Sequence, residues 1–336
     1  MAHHITERDG VFTVREPAWH GLGEVLPDYP SREQAQKIAH PWEPVSEPVY
    51  RKVPYIDGYG VLREKYEPID EYQAMVRSDD GYTLGVVSDT YELVGNSEMY
   101  DIAEAVESGD PDSVMYETGG SLKGGRKVWL LLRLKEPLKI DGDPKGDTIP
   151  YFALQNAHDG SGAFRGQSIM TRIVCDNTSG MADLEARQRG TEFVFHHTKN
   201  VKARIEQARK ALEGWRESVQ AYNRLMNHLA GVEVTDPMRE LFIEQFIPTP
   251  PPHMYSARVA TNIENARSTL RTIYSSVTCR DTANTAYGVV QGAIEYNQHY
   301  RKARNAESRF KRAYLERSAV TADAVQLVTD LVGVGA

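Results

Sequence analysis

The chain has 336 residues, 40% of them hydrophobic, and a formal net charge of -8. That length allows about two domains, and no apolar run approaches the ~20 residues a membrane helix needs. Two cysteines, Cys175 and Cys279, exclude a disulfide scaffold or a cysteine-based zinc module. With no apolar signal-peptide core in M-A-H-H-I-T-E-R-D-G, the expectation is a soluble cytosolic chain with reduced thiols.

Residues 1–50 read as a proline-broken arm, with Pro17, Pro27, Pro30, Pro41, Pro44 and Pro48 interrupting any long element. Residues 49–66 alternate as paired strands around an Asp57-Gly58 turn. Asp70–Val76 reads as a short helix or turn. T-L-G-V-V-S reads as a strand, with a second short one at Y-E-L-V. Asn96 is placed to cap a helix over Ser97–Glu107, where Met99, Ile102, Ala103 and Val106 have helical spacing.

A basic hairpin follows, with K-G-G-R-K at Lys123–Lys127 leading into V-W-L-L-L-R-L. A second hairpin spans Tyr151–Cys175, and F-V-F-H-H at Phe193–His197 adds a strand. From about Asn200 the pattern turns helical. Val201, Ile205, Ala208, Leu212, Trp215, Val219, Tyr222, Leu225 and Leu229 mark one long amphipathic helix. A shorter helix follows Asp236-Pro237, then a stiff linker at Pro248–Pro252, then helices near 256–278, 284–304 and 320–331. The expected fold is α+β: a mainly antiparallel sheet with the long amphipathic helix packed on it, then a helical C-terminal region. The expected boundaries are a 1–48 arm, a 49–232 β-rich core with the long helix, and a 233–336 helical region.

Charge is unevenly spread. Residues 1–118 hold nine basic and 24 acidic side chains, a net of -15; residues 119–210 are net +6 and residues 211–336 net +1. This split points to a basic working surface on an acidic body. The cations in question are Lys123, Arg126, Lys127, Arg165, Arg172, Lys199, Lys202 and Arg204. Tyr151, Trp129, Phe164, Phe193 and Phe195 interleave with them, and cations with aromatics are the ingredients of single-strand nucleic-acid binding. For Trp129 the core is the expected place.

No Walker loop, dinucleotide fingerprint or nucleophile elbow occurs, so no phosphate loop or cofactor is expected. Asn156, His158, Asp159, Gly160 and Ser161 read as a polar turn, with Asp159-Gly160 at its tip and His158 on its shoulder. His196 and His197 are strand neighbours and point to opposite faces. Cys175, with His158 as its base, is the arrangement a nucleophile would need; the reading preferred is a small buried thiol. Asn177-Thr178 suits the start of a helix running through Met181 to Ala186.

W-H-G-L-G at Trp19–Gly23, N-A-H-D-G-S at Asn156–Ser161, R-I-V-C-D-N-T at Arg172–Thr178 and A-Y-G-V-V-Q-G-A-I-E-Y at Ala286–Tyr296 resemble a phage- and plasmid-associated family catalogued as a domain of unknown function. Ala157 stands where that family typically has a serine. The order of hairpin, three-stranded antiparallel sheet and long crossing helix with a basic start is also similar to the core of the single-strand annealing recombinases of the Red beta and RecT types. That second resemblance implies homo-oligomeric rings or filaments in a bacterial host cell. It also implies single-stranded DNA held by its phosphates, annealing in homologous recombination without ATP, and a phage exonuclease or host single-strand-binding protein as further partners. No enzyme activity, metal or membrane partner is expected on this reading. The alternatives are an anti-host or anti-defence protein acting by protein binding or DNA mimicry, and a metal-dependent nucleic-acid enzyme.

Overall fold

The computed structural model describes residues 6–15, 23–107, 114–144, 146–172, 177–180, 193–212, 215–251, 253, 256–301 and 320–333. The fold is α+β. Eleven strands are described: β1 (Val11–Val14), β2 (Glu24–Leu26), β3 (Pro44–Ile56), β4 (Leu62–Arg77), β5 (Thr83–Ser88), β6 (Val114–Leu122), β7 (Lys127–Leu134), β8 (Thr148–Ala157), β9 (Phe164–Arg172), β10 (Asn177–Gly180) and β11 (Phe193–Phe195). One sheet has the order β10-β9-β8-β7-β6-β1-β2, with β11 also paired to β9; the other is β3-β4-β5. The described helices are α1 (Arg32–Ala39), α2 (Asn96–Glu107), α3 (Val201–Leu212), α4 (Trp215–Ala230), α5 (Asp236–Phe246), α6 (Ala257–Tyr274), α7 (Ala286–Glu295) and α8 (Val320–Val332).

The chain divides into two compact units. One comprises Met1–Leu132, Ala153–Gly166 and Phe193–Glu213; the other comprises Arg133–Phe152, Gln167–Glu192 and Gly214–Ala336.

In the first unit, β1 runs parallel to β2 and antiparallel to β6. The proline-broken arm is more regular than its composition predicts. Between two proline clusters, S-R-E-Q makes a capping box: the Ser31 hydroxyl accepts from the Gln34 amide, and the Gln34 side chain accepts from the Ser31 amide. That local chemistry starts α1. Residues 70–76, expected as a helix or turn, instead complete β4, which pairs with β3 on one side and β5 on the other. Ala74, Met75 and Val76 carry the apolar character of a strand buried at its end. The Y-E-L-V stretch is not a strand; Gln73 Nε2 donates to the Tyr91 carbonyl instead.

The second unit is built round α7, all ten of whose residues are buried. Two glycines admit neighbours against its backbone. A Cβ on Gly288 would lie 1.9 Å from the Thr282 carbonyl oxygen, and one on Gly292 would lie 2.3 Å from the Tyr274 ring. Tyr274 then donates to the Val289 carbonyl at 2.9 Å, and Tyr287 to Asp143 at 3.0 Å. The helix continues as a π-helical turn over Tyr296–Tyr300. The amphipathic run from Val201 to Leu229 is described as α3 and α4, on either side of residues 213–214, which lie outside the described residues. Trp215 opens α4, with its indole donating to Ser168 Oγ at 2.9 Å and its ring edge-on to Phe152. Asn177-Thr178 belongs to β10, so this pair does not cap a helix; Met181–Ala186 lies outside the described residues.

Candidate functional site

The glycine-rich turn between β8 and β9 is anchored from within the first unit. His158 is fully buried, its amide donating to the Arg126 carbonyl at 2.8 Å. Asn96 Nδ2 donates to the Trp42 carbonyl, so Asn96 Oδ1 is left to accept from His158 Nε2 at 2.9 Å. That fixes the tautomer and leaves Nδ1 unprotonated. The ring packs edge-on against Trp42, with centroids 5.7 Å apart. Burial, with His197 and His40 nearby, pushes the imidazole down to about 3, so His158 stays neutral. Asn156 is buried too, donating to the Val94 carbonyl.

At the tip, Asp159 accepts from the Ser161 amide at 2.9 Å, and Gly160 takes φ 74°. The tip lies against β5: a Cβ on Gly85 would fall 2.8 Å from Asp159 Cα. The turn's close approach is therefore to its own chain. His158 is a structural side chain in this setting, with its proton engaged and no route to solvent. Cys175, read in preference as a small buried thiol and otherwise as a nucleophile served by His158, lies outside the described residues.

Around the turn lie residues that sequence reasoning missed. His40 donates from Nε2 to the Gly120 carbonyl and accepts at Nδ1 from Tyr100; burial pushes it down to about 4. His197 stacks on Tyr91, centroids 4.4 Å apart, and donates to the Glu92 carbonyl, while His196 is exposed. Glu43 accepts from the amides of Asn96 and Ser97 at 2.6 and 2.9 Å, so a carboxylate from outside the helix caps α2, not the Asn96 side chain. These residues come from distant parts of the chain, Glu92 and His197 being 105 positions apart, and no local pattern links them. Trp42 Nε1, Arg126 Nε, His158 Nδ1 and His197 Nε2 are buried without a hydrogen-bond partner among the described residues. Among those same residues, no group of three His, Cys, Asp or Glu side chains could hold a metal ion.

The K-G-G-R-K loop is likewise held from inside. Asp9 accepts from the amides of Gly124 and Gly125 and from the Ser121 hydroxyl. Arg77, stacked over Trp42 at 4.4 Å, donates to the Gly124 carbonyl. Lys123 takes φ 59°, and its side chain and those of Arg126 and Lys127 are half-buried. Arg165 is exposed on β9. It pairs with Val194 while Phe164 pairs with Phe195, so its side chain points to the face opposite Phe195. Lys199, Lys202 and Arg204 are exposed at the start of α3, with Arg204 over the Phe195 ring at 4.7 Å. Arg172 lies on β9 at its pairing with Asn177, its side chain outside the described set. The cations read as one basic working surface lie on a turn, two faces of a strand pair and a helix start. Of the interleaved aromatics, Trp129, Phe164 and Phe193 are buried and have no face free for stacking a base.

The cations nevertheless differ in one respect. Of the nine basic residues in 1–118, eight are ion-paired: Arg8, Arg15, Arg32, Arg51, Lys52, Arg63, Lys65 and Arg77. Among the described residues, none of Lys123, Arg126, Lys127, Arg165, Lys199, Lys202 and Arg204 has an ion-pair partner within 4.0 Å. Lys202 acts on Glu98, its charge pulling against the burial that raises that carboxyl.

An α+β protein with a buried polar turn and unspent cations on the flanking elements is what the residues define. The chain belongs to the family described as Domain of unknown function (DUF932), whose model matches residues 83–319. The match takes in the His158 turn and the Ala286–Tyr296 helix, while Trp19–Gly23 precedes it. No curated protein and no solved structure matches the chain. Among the described residues, no helix is long and apolar enough to cross a membrane.

Proposed function

We propose that this protein binds single-stranded DNA electrostatically and anneals complementary strands without nucleotide hydrolysis, as a phage-type recombination protein. The observation that carries the reading is the contrast in ion pairing. Eight of the nine cations in the acidic first third are ion-paired within the chain, while those of the β6–β7 turn, Arg165 and the start of α3 keep their charge for a partner. A phosphate chain is such a partner, because each phosphate that is neutralised releases condensed counterions. Lys199 and Lys202 are the residues most open to it, with Arg204 on Phe195 beside them. Resemblance to the annealing recombinases supports the same reading through the order of elements. The protein acts as a homo-oligomer on DNA in this proposal, its acidic N-terminal region offering the basic region of a neighbour a complementary surface.

The test is fluorescence anisotropy with a labelled single strand of about 40 nucleotides at two salt concentrations, followed by addition of the complement. Salt-sensitive binding and accelerated annealing without ATP are expected. Absence of binding at low salt sinks the proposal and leaves the acidic surface, as a DNA mimic for a host protein, as the better account.

A further inference from the structure

The long hairpin of β3 and β4 has an exposed, largely apolar face. Beyond the register shift at Pro48/Tyr50, residues 50–56 pair only with residues 62–68, while β5 reaches no farther along β4 than Tyr72. Seven residue pairs make a two-stranded ribbon about 24 Å long, most of it exposed. The register sorts its side chains. Tyr50, Pro54, Ile56, Leu62, Tyr66 and Pro68 share one face with Lys52 and Glu64. Arg51, Val53, Tyr55, Arg63, Lys65 and Glu67 share the other. Ile56, Leu62 and Tyr66 are 71%, 70% and 68% exposed, and Tyr59 at the tip is 91% exposed. A two-stranded ribbon is marginal alone in water, and this face is largely apolar and exposed, crossed at its middle by the Lys52–Glu64 ion pair.

We infer that this face packs against a second copy of the chain. Charge decides against a nucleic acid. All four cations of the ribbon are already paired: Arg51 and Lys65 with Glu67, Lys52 with Glu64 at 2.5 Å, and Arg63 with Asp57. No cation is left for a phosphate. The prolines disfavour strand addition along β3, and Pro68 interrupts the free part of β4. Pro44, Pro48 and Pro54 lie on β3, the edge strand, and a proline has no N–H to give a further strand. What remains is face-to-face packing, as in a small sandwich. The apolar face carries one lysine and one glutamate and so repels neither itself nor a copy; an isologous interface requires that self-complementarity. Its footprint, about 24 Å by about 10 Å, is well below the ~800 Å² per partner of standard-size complexes, so the association is weak and concentration-dependent.

The inference does not depend on DNA binding, and neither does its test. Sedimentation velocity of the full chain, without nucleic acid, is run from about 1 to about 200 µM. Wild type is compared with Ile56→Glu/Leu62→Glu and with Tyr55→Ser on the charged face. All three positions are exposed, so circular dichroism and melting temperature are expected to stay unchanged. Wild type and Tyr55→Ser are expected to self-associate, and the double variant to need at least tenfold more protein to do so. A wild type monomeric throughout, or a double variant that associates like wild type, overturns the inference. So does a double variant that associates normally but loses single-strand binding, because the face would then serve nucleic acid.

Discussion

His158 donates from Nε2 to Asn96 Oδ1 at 2.9 Å and so ties the β8–β9 turn to the first residue of α2. Replacing His158 with alanine leaves a buried acceptor unpaired and opens a cavity beside Trp42. A loss of about 2–4 kcal/mol in urea unfolding is expected, with smaller loss for His158→Gln. A His158→Ala protein as stable as wild type would contradict the scaffold role.

The buried histidines set an acid limit. His40 and His158 are held near 4 and 3, against an ordinary 6.5, by burial. Between those values the unfolded chain takes up protons that the folded chain refuses. Stability is therefore fully present above about pH 6.5 and falls as pH drops toward 4, at roughly 3 kcal/mol per pH unit for the pair. Denaturant midpoints at pH 8, 6 and 5 measure this. A flat profile over that range would show that the pair is not buried and neutral.

Glu43 caps α2 through two amides. Glu43→Ala is expected to cost about 1–2 kcal/mol, and Glu43→Gln less, since an amide oxygen still accepts. Hydrogen exchange at the Asn96 and Ser97 amides reads the loss directly. Unchanged protection of both would remove the capping role.

Asp9 holds the basic loop from beneath. Asp9→Ala should speed local opening there by at least tenfold, about 1.4 kcal/mol, seen as faster trypsin cleavage after Lys123 or Arg126. Equal cleavage rates would mean that the loop is held otherwise.

Lys199→Ala and Lys202→Ala should each weaken single-strand binding. Each should also lower the slope of log affinity against log salt by about 0.7 for every phosphate that is no longer neutralised. Lys65→Ala, removing a cation already paired to Glu67, should change neither. Equal effects at all three positions would point to net charge alone.

Much of the fold is legible in residue pattern. The period-two alternation of the β3–β4 ribbon, the apolar run of β7 and the three-and-four spacing of α3 and α4 are local signals, and each marks its element. The capping box of α1 is legible as well, but the surrounding prolines mask it. Asp70–Val76 misleads because polar residues at its start resemble a turn; the strand is completed by partners on both sides. The buried turn is legible as a turn only. Its support comes from Trp42, Asn96 and Glu43, distant residues that a one-dimensional pattern cannot associate. The cations are legible one by one, but not their scatter over opposite faces, because the sequence does not say which strand β11 joins.

Helix α7 has no wet side. In water it has no conformation to rest in until α4, α6 and α8 have closed round it, and its two glycines make it a poor helix former when alone. Its order therefore depends on its neighbours more than on its own sequence. Shortening the chain at α8 would then cost the unit its interior as well as its last helix.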